Sequence, residues 1–327
     1  MKKIKWAIVS TGNIANQFAR GLKELDDCEI QAVCSRTISN ARAFAKKYEI
    51  PEYYTSLSEM VKNKTFDIVY VGTPNATHIH EVAYLLDAGF NVLCEKPMGI
   101  NLAETKAMIN KAREKKLFLM EGMWTRFFPV IGQTLAWIRE GRIGEPRMLY
   151  ANFCYDGTAD SNGWRFGPDM AGGALLDVGI YPLALSFFIF GPDYESLIGA
   201  SSQRGGVDHC NAFIVKYAAG QMAVLSSAIS LIADNNAVII GTKGKITIFD
   251  NWWRPVKAEL ALSSGDCFNY CGGQESFAAP YDSTGFQYEA AAVHDCLRSG
   301  LLESPVMTLD DSLKLAEALE LLKKTWY

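Results

Sequence analysis

The chain has 327 residues, of which 49% are apolar and 21% charged, and its formal net charge at pH 7 is -4. This length is sufficient for two domains, and the composition is that of an ordinary globular protein. The slight negative charge argues against nucleic acid or an anionic membrane as the main partner. No apolar run approaches the roughly 20 residues of a membrane helix. We therefore expect a small-molecule substrate, no nucleic-acid partner and no membrane span.

The first third of the chain alternates apolar strands with helices. The strands are rich in Ile and Val and continuously apolar, which is typical of strands buried on both faces of a parallel sheet. We predict strands at 4–9, 30–34, 68–72, 91–94 and 117–121. We predict helices at 15–24, 39–48, 80–88 and 102–115. The fold class of this part is therefore α/β, with a doubly wound parallel sheet of the Rossmann type.

The pattern changes near Gly122, where strands of alternating character replace the continuously apolar ones. We predict strands at 147–155, 212–217, 222–230, 237–242 and 245–249, and helices at 128–140, 183–190, 287–298 and 309–326. Hairpin signals stand at Ala219-Gly220 and Lys243-Gly244, while 252–284 reads as irregular. This half is predicted to be an α+β domain with a largely antiparallel open sheet.

The domain boundary is accordingly placed between residues 121 and 122, which gives a first domain of 1–121 and a second of 122–327. Thr308, with Asp311 three residues on, resembles a capping box at the start of the last helix. That helix, 309–326, could pack back on the first domain.

Eight cysteines are scattered along the chain without a Cys-x-x-Cys motif. Cys34 and Cys94 lie in predicted buried strands, where reduced cysteine is common. Cys267 and Cys271 are four residues apart with no nearby histidine, which does not favour a metal site. We expect a cytoplasmic protein with reduced thiols and no bound metal.

The first strand leads into a turn that opens a helix. This turn is a variant of the dinucleotide fingerprint G-x-G-x-x-G/A, in which Ser10 replaces the first glycine and the next residues are Thr11, Gly12, Asn13 and Ile14. Gly12 would let the backbone approach a pyrophosphate, and the helix N-terminus would supply N–H donors for it. The alternative is a tight strand–helix turn without a ligand, but the strand–helix context favours the cofactor.

The end of the second strand bears on the choice between NAD and NADP. A carboxylate at this position would bind the ribose 2′-hydroxyl of NAD, but the chain has Ser35 and Arg36 there. Arg36 can hold a 2′-phosphate and stack on adenine, and Ser35 can donate to the phosphate. We predict NADP as the cofactor, with NAD possible; the alternative is that Arg36 is an ordinary solvated charge.

Two further turns follow predicted strands at the same edge of the sheet. The strand at 68–72 ends in Thr73, Pro74 and Asn75, with His78 shortly after. This turn should border the ribose and nicotinamide, and His78 should cap the turn or touch the cofactor rather than bind metal.

The strand at 91–94 ends in Glu95-Lys96-Pro97. Ligands bind outside the carboxyl ends of strands in an open parallel sheet, so Lys96 is a candidate for chemistry. Pro97 fixes the local backbone and could do so through a cis bond. The alternative is a solvated charge pair where the strand meets its loop.

The second domain contains the glycine-rich segment 172–182. If a helix begins near Val178, Asp177 and Tyr181 lie one turn apart on one face. An acid and a phenol at a helix start could orient a substrate hydroxyl and pass a proton. The alternative is that Asp177 is only a helix N-cap and Tyr181 only a core residue. Upstream, Trp164 and Arg165 could supply an aromatic wall and a cation near the cofactor, or merely a solvated loop charge.

With these motifs, the chain resembles the Gfo/Idh/MocA family of NAD(P)-dependent oxidoreductases over nearly its whole length. It is most similar to the branch of dimeric dihydrodiol dehydrogenases and NADP-linked xylose dehydrogenases. Its segment 120–129 also resembles the segment at the domain junction of that branch. The resemblance implies that Lys96 lies near the nicotinamide and the substrate, and that the second-domain sheet forms a homodimer. Many members carry a histidine at the position of Tyr181. The dihydrodiol branch instead has a tyrosine there, as this chain does, so the histidine-dependent inositol and glucose chemistry is not expected.

The sequence thus predicts an NADP-dependent oxidoreductase that transfers a hydride between nicotinamide and a carbinol carbon of a vicinal diol, sugar or polyol. Tyr181 is the first candidate for proton transfer, Lys96 would support it through its charge or hold the substrate oxygen, and Asp177 would orient Lys96 or bind a second hydroxyl. Two alternatives remain open. One is an NADP-binding sensor without turnover, and the other is a reductase of an imine or of a biliverdin-like substrate.

Overall fold

The structure is a computed structural model that describes residues 2–63, 65–160, 163–249, 251–265, 269–270 and 272–326. It divides into two compact units. The first unit comprises Met1–Trp124 and Asp282–Leu313, and the second comprises Thr125–Tyr281 and Lys314–Tyr327. The segment 282–313, which the sequence assigned to the second domain, is thus counted with the first unit.

The helices and strands have the following bounds. The strands are β1 (Ile4–Val9), β2 (Cys28–Cys34), β3 (Glu52–Tyr54), β4 (Ile68–Val71), β5 (Asn91–Glu95), β6 (Leu119–Gly122), β7 (Pro146–Cys154), β8 (Tyr194–Arg204), β9 (Val207–Tyr217), β10 (Met222–Ala228), β11 (Ala237–Gly241), β12 (Gly244–Ile248), β13 (Lys257–Leu262) and β14 (Gln274–Ala278). The helices are α1 (Asn13–Leu22), α2 (Ile38–Tyr48), α3 (Leu57–Met60), α4 (His78–Asp87), α5 (Leu102–Lys115), α6 (Pro129–Arg139), α7 (Ile180–Phe190), α8 (Phe286–Arg298) and α9 (Leu309–Thr325).

The first unit is built on a parallel sheet with the strand order β3-β2-β1-β4-β5-β6. This arrangement confirms the predicted doubly wound Rossmann architecture. The chain reverses its direction of winding between β1 and β4, where such sheets bind their ligands. Only the short elements β3 and α3 were not predicted, because three or four residues give too little periodicity to detect.

The segment 282–313 completes the core of this first unit. On one face of the sheet, Phe18 of α1 stacks on Tyr70 of β4 with ring centroids 3.8 Å apart and meets Trp6 edge-on. Phe286 of α8 contacts the same Phe18. A Cβ at Gly21 of α1 would lie only 2.8 Å from the Cβ of Phe286, so the two helices pack closely. The apolar side of α8 therefore covers a sheet face that would otherwise be exposed.

The second unit contains a sheet with the strand order β14-β13-β12-β11-β7-β10-β9-β8. All of its neighbouring strands are antiparallel except β7 and β10, which run parallel. The predicted α+β fold with a largely antiparallel sheet is confirmed. The hairpin signals also hold: Gly220 has φ +86° between β9 and β10, and Lys243 joins β11 to β12.

Three strands of this sheet were missed from the sequence. The segment 252–284, read as irregular, contains β13 and β14, and β8 was not assigned. β8 is an edge strand whose residues are mostly polar or small, and β14 is an exposed edge strand. Edge strands bury little side-chain area, so they lack the apolar signal on which prediction depends.

The start of α9 has the predicted cap, because the Asp311 backbone N–H donates to Thr308 Oγ1 at 3.0 Å. The stretch Pro168–Phe190 is long and apolar enough to cross a membrane by length and composition, which the sequence reading did not anticipate. However, 83% of its most apolar window is buried inside the protein. That is also the behaviour of a core helix in a globular protein, so this stretch is weak support for a membrane span.

Candidate active site

The turn after β1 has the geometry of a dinucleotide-binding turn. Ser10 adopts φ +125°, a backbone region that favours glycine, which explains why the fingerprint normally has glycine there. Its Oγ accepts a hydrogen bond from the Gly12 N–H at 3.1 Å. Helix α1 begins at Asn13, and no side chain caps its first turn. The turn therefore offers uncapped N–H donors at a helix N-terminus, which fits a pyrophosphate.

The end of β2 lies beside this turn. Ser35 Oγ is 3.0 Å from Thr11 Oγ1, so the two predicted cofactor residues are linked directly. Arg36 is exposed at the strand end, where a guanidinium can reach an external anion. Among the residues the structure describes around this turn, the donor set of hydroxyls, backbone N–H groups and one guanidinium matches a phosphate-rich ligand.

The turn after β4 is hydrogen-bonded to an acid on α4, Glu81, that the sequence reading did not select. The Thr73 hydroxyl donates to Glu81, and the Thr77 hydroxyl donates to Thr73 Oγ1 at 2.9 Å. Burial raises the pKa of Glu81, and the positive charge of Arg36 acts in the opposite direction. Glu81 therefore fixes the Thr73 side chain at the carboxyl end of β4. The signal for it in the sequence is only its i, i+4 spacing from Thr77.

His78 is fully buried. Its Nδ1 lies 2.9 Å from the carbonyl oxygen of Pro97, and its Nε2 lies 2.9 Å from that of Thr73. Burial lowers the pKa of the imidazole, while the two carbonyl groups act in the opposite direction. Because both ring nitrogens face backbone, His78 ties the turn after β4 to the turn after β5. Of the two roles suggested by the sequence, this geometry fits holding the turn, and contact with the cofactor stays a prediction.

The Glu95-Lys96-Pro97 turn lies at the carboxyl end of β5, and its Lys96–Pro97 bond is cis, as the sequence suggested. Glu95 is buried and accepts hydrogen bonds from the Tyr70 hydroxyl at 2.8 Å and from the Lys96 backbone N–H at 3.2 Å. Burial raises the pKa of Glu95 to about 7, against the opposing charge of Lys96. Lys96 itself is half-buried, next to this carboxyl group.

Two further buried acids lie near Glu95 and were not found from the sequence. Glu121 Oε1 accepts from the Met98 backbone N–H at 2.7 Å, and Glu289 of α8 is fully buried. Neither carboxyl oxygen of Glu289 has a hydrogen-bond partner among the described residues. Burial raises the pKa of Glu289 well above its usual range, and the charge of Glu95 adds to this. Because Glu289 lies 194 positions from Glu95 in the chain, no local sequence pattern could reveal that the two are close.

In the second unit, Asp177 is the acceptor of a small polar cluster. Its Oδ2 accepts from the Tyr155 hydroxyl at 2.7 Å and from Arg165 Nε at 3.1 Å. The Asp177 side chain is 9% exposed, so these bonds lie in a largely desolvated setting. Burial and the charge of Asp177 raise the pKa of the Tyr155 phenol, which keeps it a donor. The structure thus brings Arg165 together with Asp177, and Tyr155 is a site residue that the sequence reading missed.

The suggested N-cap role of Asp177 is wrong, and the helical segment begins before both the predicted 183–190 and the conditional start near Val178. A π-helical turn covers Leu175–Gly179 and continues directly into α7. Asp177 therefore lies inside the helical segment, with its side chain directed to Tyr155 and Arg165. Single π-helical turns are frequent at functional sites.

Tyr181 follows on α7 and is 7% exposed. Its ring lies against Phe153, with centroids 5.3 Å apart, and Phe153 stacks on Trp253. Trp164 lies beside Arg165, whose guanidinium carbon is 4.9 Å from the centroid of the indole ring. The second unit therefore combines a phenol, a carboxylate and flat aromatic surfaces, which suits a small hydroxylated or cyclic substrate.

The comparisons with known proteins agree with this geometry. Residues 4–123 match the family model described as the oxidoreductase family with an NAD-binding Rossmann fold, and residues 133–247 match the Gfo/Idh/MocA C-terminal domain. The chain belongs to the Gfo/Idh/MocA family. It is an oxidoreductase with an NAD(P)-binding Rossmann fold.

Three members of the family illustrate the similarity. The chain is 37% identical to trans-1,2-dihydrobenzene-1,2-diol dehydrogenase of Sus scrofa, with 98% of this chain and 96% of that protein covered. The Homo sapiens protein of the same name is 35% identical over the same shares. The crystal structure of aldose-aldose oxidoreductase from Caulobacter crescentus superposes with a TM-score of 0.88 at 25% identity, covering 99% and 97% of the two chains. The resemblance inferred from the motifs is therefore confirmed.

The residues that the structure describes include no group of three or more His, Cys, Asp or Glu side chains suited to a metal ion. Cys267 and Cys271, considered above as a metal pair, lie outside the described residues.

Proposed function

We propose that the protein is an NADP-dependent dehydrogenase that acts on a vicinal diol, sugar or polyol. The observation that carries the proposal is Lys96, half-buried at the carboxyl end of β5, in the half of the sheet that receives the nicotinamide in doubly wound folds. The relatives named for dihydrodiol and aldose oxidation support this substrate class. When bound, the cofactor supplies the hydride acceptor or donor, and the protein supplies orientation and proton management.

The test of this proposal replaces Lys96 with alanine. We expect turnover of diols or aldoses to fall about 100- to 1,000-fold, the range for losing one preorganised charged donor, while NADPH binding measured by tryptophan fluorescence persists. Lys106→Ala, on the exposed side of α5, is the matched control. Wild-type turnover in Lys96→Ala would refute the assignment. NADPH binding without turnover of any diol or sugar by the wild-type protein would instead favour the sensor alternative.

We assign the remaining catalytic roles to the second unit. Tyr181 transfers the proton at the reacting oxygen, and Asp177, held by Tyr155 and Arg165, orients a second hydroxyl. Tyr181→Phe keeps the ring contact with Phe153 and removes only the hydroxyl. We expect it to lower kcat with little change in KM, because the lost interaction acts on the transition state.

The preference for NADP over NAD rests on Ser35 and Arg36 at the end of β2. A guanidinium bound to a 2′-phosphate contributes about 1.5–3 kcal/mol, or roughly 10- to 150-fold in affinity. Arg36→Ala should therefore weaken NADPH binding by about this factor and leave NADH binding nearly unchanged. Arg42→Ala, another exposed arginine on the following helix, should change neither. Equal loss for both cofactors would contradict the proposed phosphate contact.

A homodimer is proposed on the exposed face of the second-unit sheet. Ile198, Ile214, Val224 and Tyr150 are cross-strand neighbours on β8, β9, β10 and β7. Ile198 is 62% and Tyr150 41% exposed. Such an apolar row is expected to be covered, and a second copy of the chain would cover it symmetrically. Light scattering should report a dimer that Ile214→Lys converts to a monomer.

We also propose a cytoplasmic location. Its support is the set of free cysteines, of which the buried Cys34 and Cys94 have raised pKa values because of desolvation. Cell fractionation of the tagged protein, with thiol counting after rapid alkylation, checks this proposal.

A further inference from the structure

The π-helical turn Leu175–Gly179 is the piece of backbone that directs Asp177 and Tyr181. It begins at Leu175, and the Asp177 backbone N–H within it donates to the Gly173 carbonyl at 3.1 Å. A π-helical turn is intrinsically less favourable than an α-helical one and persists where the surroundings hold it. The residues that hold this turn therefore decide where the two proposed catalytic side chains point.

Asp208 of β9 holds the start of the turn. It is buried, and its Oδ2 accepts from the Leu175 backbone N–H at 2.8 Å. The same oxygen accepts from Asn211 Nδ2 at 2.7 Å, and Asn211 Oδ1 accepts from the Ser227 hydroxyl at 2.9 Å. A polar chain thus runs from two strands of the sheet to the first residue of the turn. Burial raises the pKa of Asp208, and these donors act in the opposite direction.

The glycines of the turn segment fit this polar chain. Gly173 has φ +108°, and a Cβ there would lie 2.3 Å from Asp208 Oδ1. A Cβ at Gly179 would lie 2.8 Å from the Ser227 hydroxyl. Both ends of the turn therefore approach the polar chain more closely than any other residue would allow. This fit accounts for two glycines that the sequence marks but that touch no catalytic side chain.

We propose that Asp208, supported by Asn211 and Ser227, is a positioning residue for the reaction: it fixes the turn that directs Asp177 and Tyr181. This inference rests on the proposed dehydrogenase function. Asp208 acts through its hydrogen bond to the Leu175 backbone. The competing interpretation is that Asp208 only stabilises the unit.

The polar chain allows a test that removes or keeps the acceptor at residue 208. Asp208→Ala removes the oxygen that accepts from both the Leu175 N–H and Asn211 Nδ2, whereas the amide oxygen of Asp208→Asn can accept from both donors. We expect Asp208→Ala to lower kcat about 10- to 100-fold, the cost of misplacing reacting groups by about 1 Å. KM and NADPH affinity should change little, and Asp208→Asn should keep most of kcat.

The outcomes separate the two interpretations and the underlying function. An Asp208→Ala variant that is folded at the assay temperature but turns over at the wild-type rate overturns the positioning role, whatever its melting temperature. An Asp208→Asn variant that keeps the stability of the wild type but loses as much kcat as Asp208→Ala does the same. Should Asp208→Ala not fold, Ser227→Ala removes only the outermost bond, and an unchanged kcat in that variant overturns the proposal. A wild-type protein that binds NADPH but oxidises no diol or sugar refutes the proposed function and this inference together.

Discussion

Replacing Tyr155 with phenylalanine removes one hydroxyl group from the Asp177 cluster and leaves the size of the ring unchanged. The lost hydrogen bond, 2.7 Å long, joins the phenol to a carboxylate that is 9% exposed. Hydrogen bonds to charged groups contribute about 1.5–3 kcal/mol. Arg165 continues to hold the same oxygen. We therefore expect the free energy of unfolding to fall by about 1.5–3 kcal/mol.

The same change should also affect the reaction. Without the Tyr155 hydroxyl, the Asp177 carboxylate is held less firmly, and loss of orientation at a reacting group lowers kcat by about tenfold or more. Urea unfolding at pH 7 measures the stability change, and steady-state kinetics with NADP and a diol measure the rate. Tyr84→Phe is the matched control, because Tyr84 lies on α4 and is 42% exposed.

A double-mutant cycle with Asp177→Asn decides whether the effect comes from this pair. If the hydroxyl acts on Asp177, the two substitutions are strongly non-additive, with a coupling energy of about 0.5–3 kcal/mol. Additive effects, or a stability loss no larger than that of Tyr84→Phe, would show that Tyr155 does not hold Asp177 and would refute this description of the site.

Three further predictions concern titration and strain. The folded-state pKa of Glu289 is raised, so its contribution to stability is full below pH 4.5 and is lost as pH rises. In urea unfolding from pH 5 to 8, the free energy of unfolding of Glu289→Gln should rise relative to that of the wild type by up to about 1.4 kcal/mol per pH unit. A difference that stays constant with pH would contradict the protonation of Glu289. The neutral His294 accepts a hydrogen bond from the Trp6 indole at Nε2 and has a lowered pKa. The free energy of unfolding should therefore fall as pH drops below 6.5, and it should fall less in His294→Gln. Parallel curves of unfolding free energy against pH for the two proteins would contradict this prediction. Ser10→Gly should relieve the strain of φ +125°, worth about 1–3 kcal/mol before the entropy of glycine is subtracted; a lower melting temperature would mean that the hydrogen bond to Gly12 outweighs the strain.

Local patterns in the sequence were sufficient for the Rossmann unit. Its strands are short, buried on both faces and separated by helices of clear periodicity, so β1 and α5 were predicted with their observed bounds. The turn after β1, the end of β2 and the Lys96 turn could be found because each consists of consecutive residues. Their common position at the carboxyl edge follows from the parallel order of the strands alone.

Contacts between distant residues could not be read in this way. Glu289 pairs with Glu95 only because α8 returns to the first unit, and Tyr155 meets Asp177 only because β7 lies beside the π-helical turn. The edge strands β8 and β14 bury too little surface to leave an apolar signal.

The sequence by itself determined the fold class, the family and the residues whose chemistry is carried by a local motif: Gly12, Arg36, Lys96, Asp177 and Tyr181. Backbone conformation and short-range hydrogen bonding specify such motifs over a few residues. Only the tertiary structure decided which groups desolvate, orient or neutralise them. Burial and hydrogen-bond partners depend on elements 20 to 200 positions apart, such as Asp208 under the Leu175 turn, and no spacing in the chain encodes where those elements meet.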